Sequence, residues 1–209
     1  MRLSLFCSSL LLLVSATAKA VPGAAAVPAA LALCQSCHQP DGAGNPALQA
    51  PALAGQQQEY LLRQLQQFQT GQRGAQPKDV TGAQMRAALP ADLSVADLTA
   101  LAGYFAALPA PARAGQAADA VQVDKGRRIY INSCGACHGA KAEGVVALKA
   151  PSLRQLDAVY LKRQLEYFRT GVRGSDKNDK PGRQMAMMAR TLQNEQDIAQ
   201  VIAYIGSLP

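Results

Sequence analysis

Apolar residues recur along this chain at the spacing of helices. Leu61, Leu65 and Phe68 stand at positions i, i+4 and i+7, and arginine and glutamine residues occupy the opposite face of the segment. Segments 94–107 and 194–206 have a similar period, and each is closed by a Leu-Pro pair that favours a helix end. No stretch alternates apolar and polar residues as a half-buried strand would. The pattern therefore predicts an all-α protein.

The helical pattern is written twice in the sequence. When the chain is shifted by one hundred positions, YLLRQLQQFQTGQRG at 60–74 aligns with YLKRQLEYFRTGVRG at 160–174 without a gap. Met85 falls on Met185 in the same alignment. A repeat of this length marks an internal duplication, so the chain is interpreted as two related units of about ninety residues each.

The composition between the units indicates where one ends and the next begins. We expect a first domain at 21–110, a linker at 111–122 and a second domain at 123–209, because the segment between the repeats is rich in Pro, Ala and Gly. A short helix at 125–133 is expected to lead into the second motif. Its counterpart in the first domain is shortened by Pro28.

The first twenty residues are typical of a secretory signal peptide. They combine Arg2, an apolar centre and an Ala-x-Ala exit, so we expect export and cleavage near Ala20. The sixteen uncharged residues from Leu3 to Ala18 are short for a spanning helix. An uncleaved N-terminal anchor is the alternative.

Beyond this leader the chain has four cysteines, and all of them lie in a C-x-x-C-H motif with the only two histidines. Cysteines at i and i+3 lie on one side of a helical turn, with a histidine at i+4 beside them. Two such thiols can form thioethers with the vinyl groups of a haem while the imidazole reaches the iron. The sequence therefore predicts two covalent haem c groups, attached through Cys34, Cys37, Cys134 and Cys137 and ligated by His38 and His138.

Other uses of the cysteines fit the spacing less well. The two pairs are separated by 97 residues, far from the spacing of a zinc ribbon. A thioredoxin-like redox pair expects a βαβ context, which the pattern lacks. A disulfide across three residues would leave the adjoining histidine unexplained. Zinc binding and thiol redox chemistry stay open as alternatives.

Methionine is the expected ligand on the far side of each iron. No histidine or cysteine is left over, and Met85 and Met185 are equivalent in the repeat. Met188 is the reserve candidate for the second iron, and Lys149 or an open site is a remote one. Ligation by His and Met raises the reduction potential and fills both axial positions, so such an iron passes electrons and has no vacancy for a substrate.

Two further pairs of residues are candidates for supporting roles. The carbonyls of Pro51 and Pro151 are expected to accept a hydrogen bond from the ligating histidines, with a plain turn proline as the alternative. Arg73 and Arg173, in the shared TG-x-RG loop, are expected to meet the haem propionates, with a solvated loop arginine as the alternative.

With these motifs in hand, the chain resembles the cytochrome c4 family, dihaem proteins made of two tandem class I cytochrome c domains. The resemblance rests on the two C-x-x-C-H motifs, the PALAGQ segment from Pro51, the helix at 60–74, the late methionines and the last helix of each unit. It implies a pseudo-two-fold with propionate edges facing each other. It also implies one haem held by Cys34, Cys37, His38 and Met85, and another held by Cys134, Cys137, His138 and Met185.

The resemblance further implies a periplasmic electron carrier, often near the inner membrane, between a quinol-oxidising complex and a terminal oxidase. The alternatives are the electron-accepting subunit of a periplasmic dehydrogenase and a dihaem redox enzyme. An enzyme such as a peroxidase or a thiosulfate-oxidising cytochrome would need an open iron or a spare Cys or His ligand. The chain offers neither residue, so we expect no catalytic activity of its own.

Charge is divided unevenly between the two halves. Residues 21–115 contain five Lys/Arg and five Asp/Glu, whereas residues 116–209 contain fourteen and nine, a net charge of +5. A neutral half joined to a basic half gives the molecule an electric dipole. Such a dipole steers a protein onto acidic partners at a salt-dependent rate. We therefore expect the second domain to dock on an acidic redox partner. Basic residues are not interleaved with aromatic ones, so nucleic-acid binding is not expected.

Overall fold

The structure, a computed structural model, describes residues 29–112 and 119–208. Within these ranges the chain forms α-helices and short turns but no strand, which confirms the predicted all-α class. The expected signal peptide at 1–20 and the centre of the expected linker lie outside the described residues. The helices are α1 Leu31–His38, α2 Gln58–Gln69, α3 Val80–Ala88, α4 Val95–Ala107, α5 Ala120–Ser133, α6 Gly135–His138, α7 Ala158–Thr170, α8 Lys180–Ala189 and α9 Glu195–Ser207.

The last helix of each unit carries the centre of its core. In α4, Leu98, Leu101 and Phe105 are buried, and the equivalent positions in α9 are Ile198, Val201 and Ile205, which are also buried. These positions follow the helical period that the sequence predicted for segments 94–107 and 194–206. α4 packs on α2, and α9 packs on both α5 and α7. The two units therefore have a similar arrangement of helices, in which the last helix packs on the helix that follows the C-x-x-C-H loop.

Polar side chains fix where these helices begin. Ser94 and Asp97 form a reciprocal capping box at the start of α4. Asn194 accepts a hydrogen bond from the backbone N–H of Asp197 at the start of α9, at 2.9 Å. Asp157 caps α7 in the same way through the N–H of Tyr160. The capping residues therefore specify the helix starts locally.

The N-terminal helices differ between the units. α5 is fourteen residues long and begins at Ala120, inside the expected linker and five residues before the predicted start. It begins there because the Asp119 side chain accepts hydrogen bonds from the backbone N–H groups of Val121 and Gln122. The described part of α1 is only eight residues long and meets α4 through a hydrogen bond from Gln35 to the Tyr104 hydroxyl.

Two helices were not marked by the sequence pattern, and they carry the candidate methionines. α3 and α8 begin where Asp79 and Asp179 accept a hydrogen bond from the N–H of a glycine three residues later, at 2.9 and 3.0 Å. Gly74 lies so close to the backbone of α3 that a Cβ on it would stand 2.3 Å from the Gly82 carbonyl oxygen. The TG-x-RG loop therefore packs directly against the start of the methionine helix.

The close approach of α5 and α9 gives a stability prediction. A Cβ on Gly126 would stand 1.9 Å from the carbonyl oxygen of Gln200, so Gly126→Ala should force the two helices apart and lower the free energy of unfolding by about 1–3 kcal/mol. Gly206→Ala on α9 is the control, because nothing lies within 4 Å of its Cβ position. It should be neutral or add up to about 1 kcal/mol. Denaturant unfolding measures both, and equal stabilities of the two variants would contradict this packing.

Candidate functional site

Each unit encloses a cavity lined by its own C-x-x-C-H motif. The first cavity, including its mouth, has a volume of about 1360 Å³, and the second about 1260 Å³. Each cavity extends from the C-x-x-C-H motif to a methionine, so it offers a place for a large cofactor between them. The structure brings the eight predicted site residues together as two sets of four. The first set is Cys34, Cys37, His38 and Met85, and the second is Cys134, Cys137, His138 and Met185.

The histidines are oriented by the proline carbonyls that the sequence suggested. His38 Nδ1 donates to the Pro51 carbonyl at 2.8 Å, and His138 Nδ1 donates to the Pro151 carbonyl at 2.9 Å. Burial lowers the pKa of both imidazoles, and the bond to the carbonyl opposes this only in part. A neutral ring with its proton on Nδ1 leaves the Nε2 lone pair available to a metal. The alternative of a plain turn proline is wrong.

Two cysteine side chains line each cavity, and none of the four forms a disulfide. Burial raises the pKa of Cys34, and it raises the pKa of Cys134 to about 11. These two side chains are partly buried, whereas Cys37 and Cys137 are exposed. The pairs line separate cavities, so they do not meet as one four-cysteine zinc site. Within 29–112 and 119–208 no cluster of three or more His, Cys, Asp or Glu side chains could hold a metal ion.

The helices that carry the candidate methionines form part of the wall of each cavity. Met85 on α3 packs against the buried cluster that contains Phe68, and Met185 on α8 packs against the buried cluster that contains Phe168. Met188 also lines the second cavity and is 38% exposed. Both candidate ligands for the second iron therefore reach the cavity.

The walls of both cavities are mainly apolar. The first is lined by Leu48, Leu65 and Phe68, and the repeat-equivalent leucines and phenylalanine line the second. An apolar cavity lined by two thiols, an imidazole and a thioether matches the donor set of a c-type haem. The residues present therefore fit the predicted cofactor.

The polar part of the cavities is shared between the two units. Tyr60 and Gln64 from the first unit, and Tyr160 and Gln164 from the second, line both cavities. Arg163 of the second unit extends into the first cavity, and Arg63 of the first unit extends into the second. Each cavity is therefore completed by residues of the other unit.

Four residues at the centre of this shared region form what we term the Arg–Gln cluster: Gln64, Arg73, Gln164 and Arg173. The Gln64 Oε1 atom accepts hydrogen bonds from Arg73 Nη1 at 2.7 Å and from Arg173 Nη2 at 2.8 Å. Gln164 Oε1 likewise accepts from Arg173 Nη1 and, at 3.4 Å, from Arg73 Nη2. Each guanidinium also lies over a phenylalanine ring of its own unit, at 4.5 and 4.4 Å from the centroid. Two amide oxygens thus bridge two like charges.

The Arg–Gln cluster carries buried positive charge. The salt bridges among the described residues lie on exposed surfaces elsewhere, and none of them includes Arg73 or Arg173. Burial lowers the pKa of Arg173, and the nearby Arg73 lowers it further. Burial also raises the pKa of Tyr160, but the two arginines outweigh this and the net pKa is lowered. Burying two cations without a counter-ion is costly, so an anion bound at the cluster would stabilise it.

Arg73 and Arg173 are thus not solvated loop residues, and that alternative is wrong. Sequence reasoning missed the tyrosine and glutamine residues that line both cavities. The available signal was the repeat itself, because Tyr60, Arg63 and Gln64 recur unchanged at Tyr160, Arg163 and Gln164. A solvated helix face does not need identical polar residues in both copies.

Other contacts join the two units around the cluster. Arg63 Nη2 donates to the Lys149 carbonyl at 2.8 Å, and Arg163 Nη2 donates reciprocally to the Gln49 carbonyl at 3.0 Å. The Gln56 amide donates to the Ser152 carbonyl at 2.9 Å. The reciprocal arginine contacts give the interface the pseudo-two-fold arrangement that the resemblance implied.

Comparisons with known proteins agree with this geometry. A sequence profile described as cytochrome c matches the chain twice, over residues 21–109 and 123–209. Cytochrome c4 of Pseudomonas aeruginosa is 34% identical over 210 residues, with 96% of each chain covered. The thiosulfate dehydrogenase electron acceptor of Stutzerimonas stutzeri is 32% identical over 192 residues, covering 86% of this chain and 81% of the relative. The crystal structure of reduced recombinant cytochrome c4 from Pseudomonas stutzeri has a TM-score of 0.69 at 30% identity, covering 86% of this chain and 95% of that one.

The matched ranges cover both units and therefore both C-x-x-C-H motifs of this chain. Domains of this kind bind haem c covalently, so the chain carries two haems, and its role is electron transfer rather than catalysis. The chain therefore belongs to the cytochrome c4 family of dihaem electron carriers.

Proposed function

We propose that this protein shuttles single electrons in the periplasm, from a quinol-oxidising complex to a terminal oxidase or reductase. The observation that carries the proposal is the pair of cavities, each with two thiols, an oriented imidazole and a methionine, joined by one polar wall. Two redox centres with a shared wall suit the passage of electrons through the molecule.

His38 and Met85 are the proposed axial ligands of the first iron, and His138 and Met185 those of the second. When bound, haem supplies a reversible one-electron couple whose potential is raised by His/Met ligation. The protein's own residues hold the imidazoles in one tautomer and surround the group with apolar side chains. An iron held by a histidine and a methionine would have no free position for a substrate, which favours a carrier over an enzyme.

Arg73 and Arg173 are proposed to neutralise the haem propionates. Their buried guanidinium groups lack a carboxylate partner within 4 Å among residues 29–112 and 119–208. The Nε–H of Arg73 is buried without a hydrogen-bond acceptor in the same part of the chain. A propionate is a carboxylate that can accept such bonds, and an arginine pairs with it more tightly than with a neutral acceptor.

The periplasmic location rests on the leader predicted at residues 1–20 and on the family. Among the described residues, no helix is both long and apolar enough to cross a membrane. Cleavage near Ala20 would release the two domains, with association to the inner membrane surface as a further part of the proposal.

A second candidate function is the electron-accepting subunit of a periplasmic dehydrogenase. It is favoured by the likeness to thiosulfate dehydrogenase electron acceptors, of which the one from Thiomonas intermedia is 33% identical over 165 residues. Purification of the native protein distinguishes the two candidates. A subunit should co-purify with a catalytic chain in fixed proportion, whereas a free carrier should not.

Removing the methionine ligands gives a spectroscopic prediction. Met85→Ala should abolish the weak sulfur-to-iron charge-transfer band of one haem, at the red end of the visible spectrum, and lower that haem's midpoint potential. Met185→Ala should do the same for the other haem, because a thioether ligand raises the potential. Visible spectra and a redox titration of the periplasmic protein measure both effects.

Met187→Ala is the matched control, because this side chain is 60% exposed and does not line the cavity. Met188→Ala separates the two candidates for the second iron. Loss of the second haem's band in Met188→Ala but not in Met185→Ala would contradict the assignment of Met185. Bands that persist in both Met85→Ala and Met185→Ala would contradict His/Met ligation itself.

The Arg–Gln cluster gives a second prediction. Gln64→Leu removes an acceptor shared by Arg73 and Arg173, so the free energy of unfolding should fall by about 1.5–3 kcal/mol. Because the lost acceptor contacts arginines of both domains, both midpoint potentials should shift. Gln66→Leu, on the same helix but outside both cavities, should change neither quantity. Denaturant unfolding and a redox titration test this, and a shift confined to one haem would contradict a shared cluster.

A further inference from the structure

Helix α8 presents an exposed face with three cations, whereas the equivalent face of α3 has none. Lys180, Arg183, Met187 and Arg190 stand at i, i+3, i+7 and i+10, so they share one side of the helix. All four side chains are exposed, and Met187 is 60% exposed. We term this surface the cationic α8 face. It places one large apolar side chain among three positive charges.

The same helix forms a wall of the second cavity. Met185 and Met188 line that cavity, while Gly182, Ala186 and Ala189 are buried against the rest of the domain. A molecule seated on the cationic α8 face would thus be one helix away from the second haem. Met188, which lines the cavity and is 38% exposed, lies at the boundary between the two.

The repeat shows that this charge is not needed for folding. The positions in α3 equivalent to the three cations are Val80, Ala83 and Pro90, and Ala87 stands in place of Met187. α3 nevertheless forms a helix in the same place, with the same aspartate cap and the same packing against its loop. Because α3 folds without a cation at any of these positions, the three cations on α8 are not required for the helix to form.

The cations of the face are not neutralised by the protein itself. None of the three has a carboxylate oxygen within 4 Å in the part of the chain that the structure describes. Arg183 donates instead to the backbone carbonyl of Lys177, at 3.5 Å. Helix α8 contains no acidic residue. Three adjacent like charges repel one another, so the face would be stabilised by acidic groups from outside the chain.

We propose that the cationic α8 face is the docking surface for an acidic redox partner that exchanges electrons with the second haem. The partner's surface would carry carboxylates around an apolar centre that covers Met187. Methionine suits such a contact because its flexible thioether adapts to different surfaces. The inference rests on the proposed carrier function and narrows the docking site from the basic second domain to one helix face.

A gold electrode coated with a mixed carboxyl- and methyl-terminated alkanethiol monolayer serves as a partner surface of known chemistry. The holoprotein should exchange electrons with it rapidly at low ionic strength and more slowly as salt is added. Lys180→Gln, Arg183→Gln and Arg190→Gln together should reduce the exchange rate about tenfold at low salt. Met187→Ala should reduce the rate on the mixed monolayer but not on a purely carboxyl-terminated one.

The matched control removes the same charge from another surface of the second domain. Lys125→Gln, Arg127→Gln and Arg128→Gln together neutralise three exposed cations on α5. This variant should keep the rate within about twofold of the unaltered protein. An equal loss in the α5 and α8 variants would overturn the proposal, since net charge rather than the α8 face would then control docking. A salt-independent rate in the unaltered protein would also overturn it.

Two further measurements keep this result separate from the carrier function. Haem content and the solution midpoint potentials are determined first, and they should be the same in all variants. Absence of these properties in the unaltered protein would contradict the proposed function. If the properties are retained but the α8 variant exchanges electrons as fast as the unaltered protein, only the docking surface is contradicted. If the α8 variant instead loses binding to phosphatidylglycerol vesicles while keeping its rate at the electrode, the face binds lipid and the proposal is wrong.

Discussion

The central constraint on this molecule is the burial of two guanidinium groups at one point between its domains. Arg73 and Arg173 would repel each other in an apolar interface, and Gln64 and Gln164 hold them together because each amide oxygen accepts from both. Neutral acceptors do not cancel the charge, so the interface still requires anions. The cavities open onto this cluster, and the propionates of the two haems supply carboxylates there in the proposed function. The relative position of the domains and the electrostatics of both cavities thus depend on the same four side chains.

The duplication is preserved toward the interface and lost on the outside. The tyrosine, arginine and glutamine residues that line the cavity of the other domain recur in both copies, because one shared wall serves both cavities. Other contacts between the domains, such as the hydrogen bond from Gln56 to Ser152, are not repeated. The exposed helices are free of this requirement and have diverged. α5 packs closely along α9 through Gly126, whereas the described part of α1 is a much shorter helix. The net charge of the two halves has diverged as well, from zero to +5.

The local features of the site could be predicted from sequence, and the long-range ones could not. The C-x-x-C-H motifs identify the haem attachment residues because their spacing is fixed by one helical turn. The Pro51 carbonyl could be predicted because a ligating histidine needs an acceptor for its second ring N–H. Helices α3 and α8 were not predicted because they are short and their starts depend on contacts between Asp79 or Asp179 and a nearby glycine. The Arg–Gln cluster joins residues about one hundred positions apart, and no local pattern encodes such a contact. The repeat gave only the hint that its polar residues are identical.

The shared cavity wall is nearly the same in both domains, whereas the exposed helix faces differ. This difference bears on how the protein would select its partners. A wall common to both cavities cannot distinguish one haem from the other, so discrimination between donor and acceptor has to come from the surface outside each cavity. Helices α3 and α8 occupy equivalent places next to the two cavities, yet one is nearly uncharged on its exposed face and the other is cationic. Charge at the rim of an interface mainly governs the rate of encounter and the choice of partner, and affects packing little. Two copies of one fold can thus bind different proteins while they exchange electrons through the interface between the two domains.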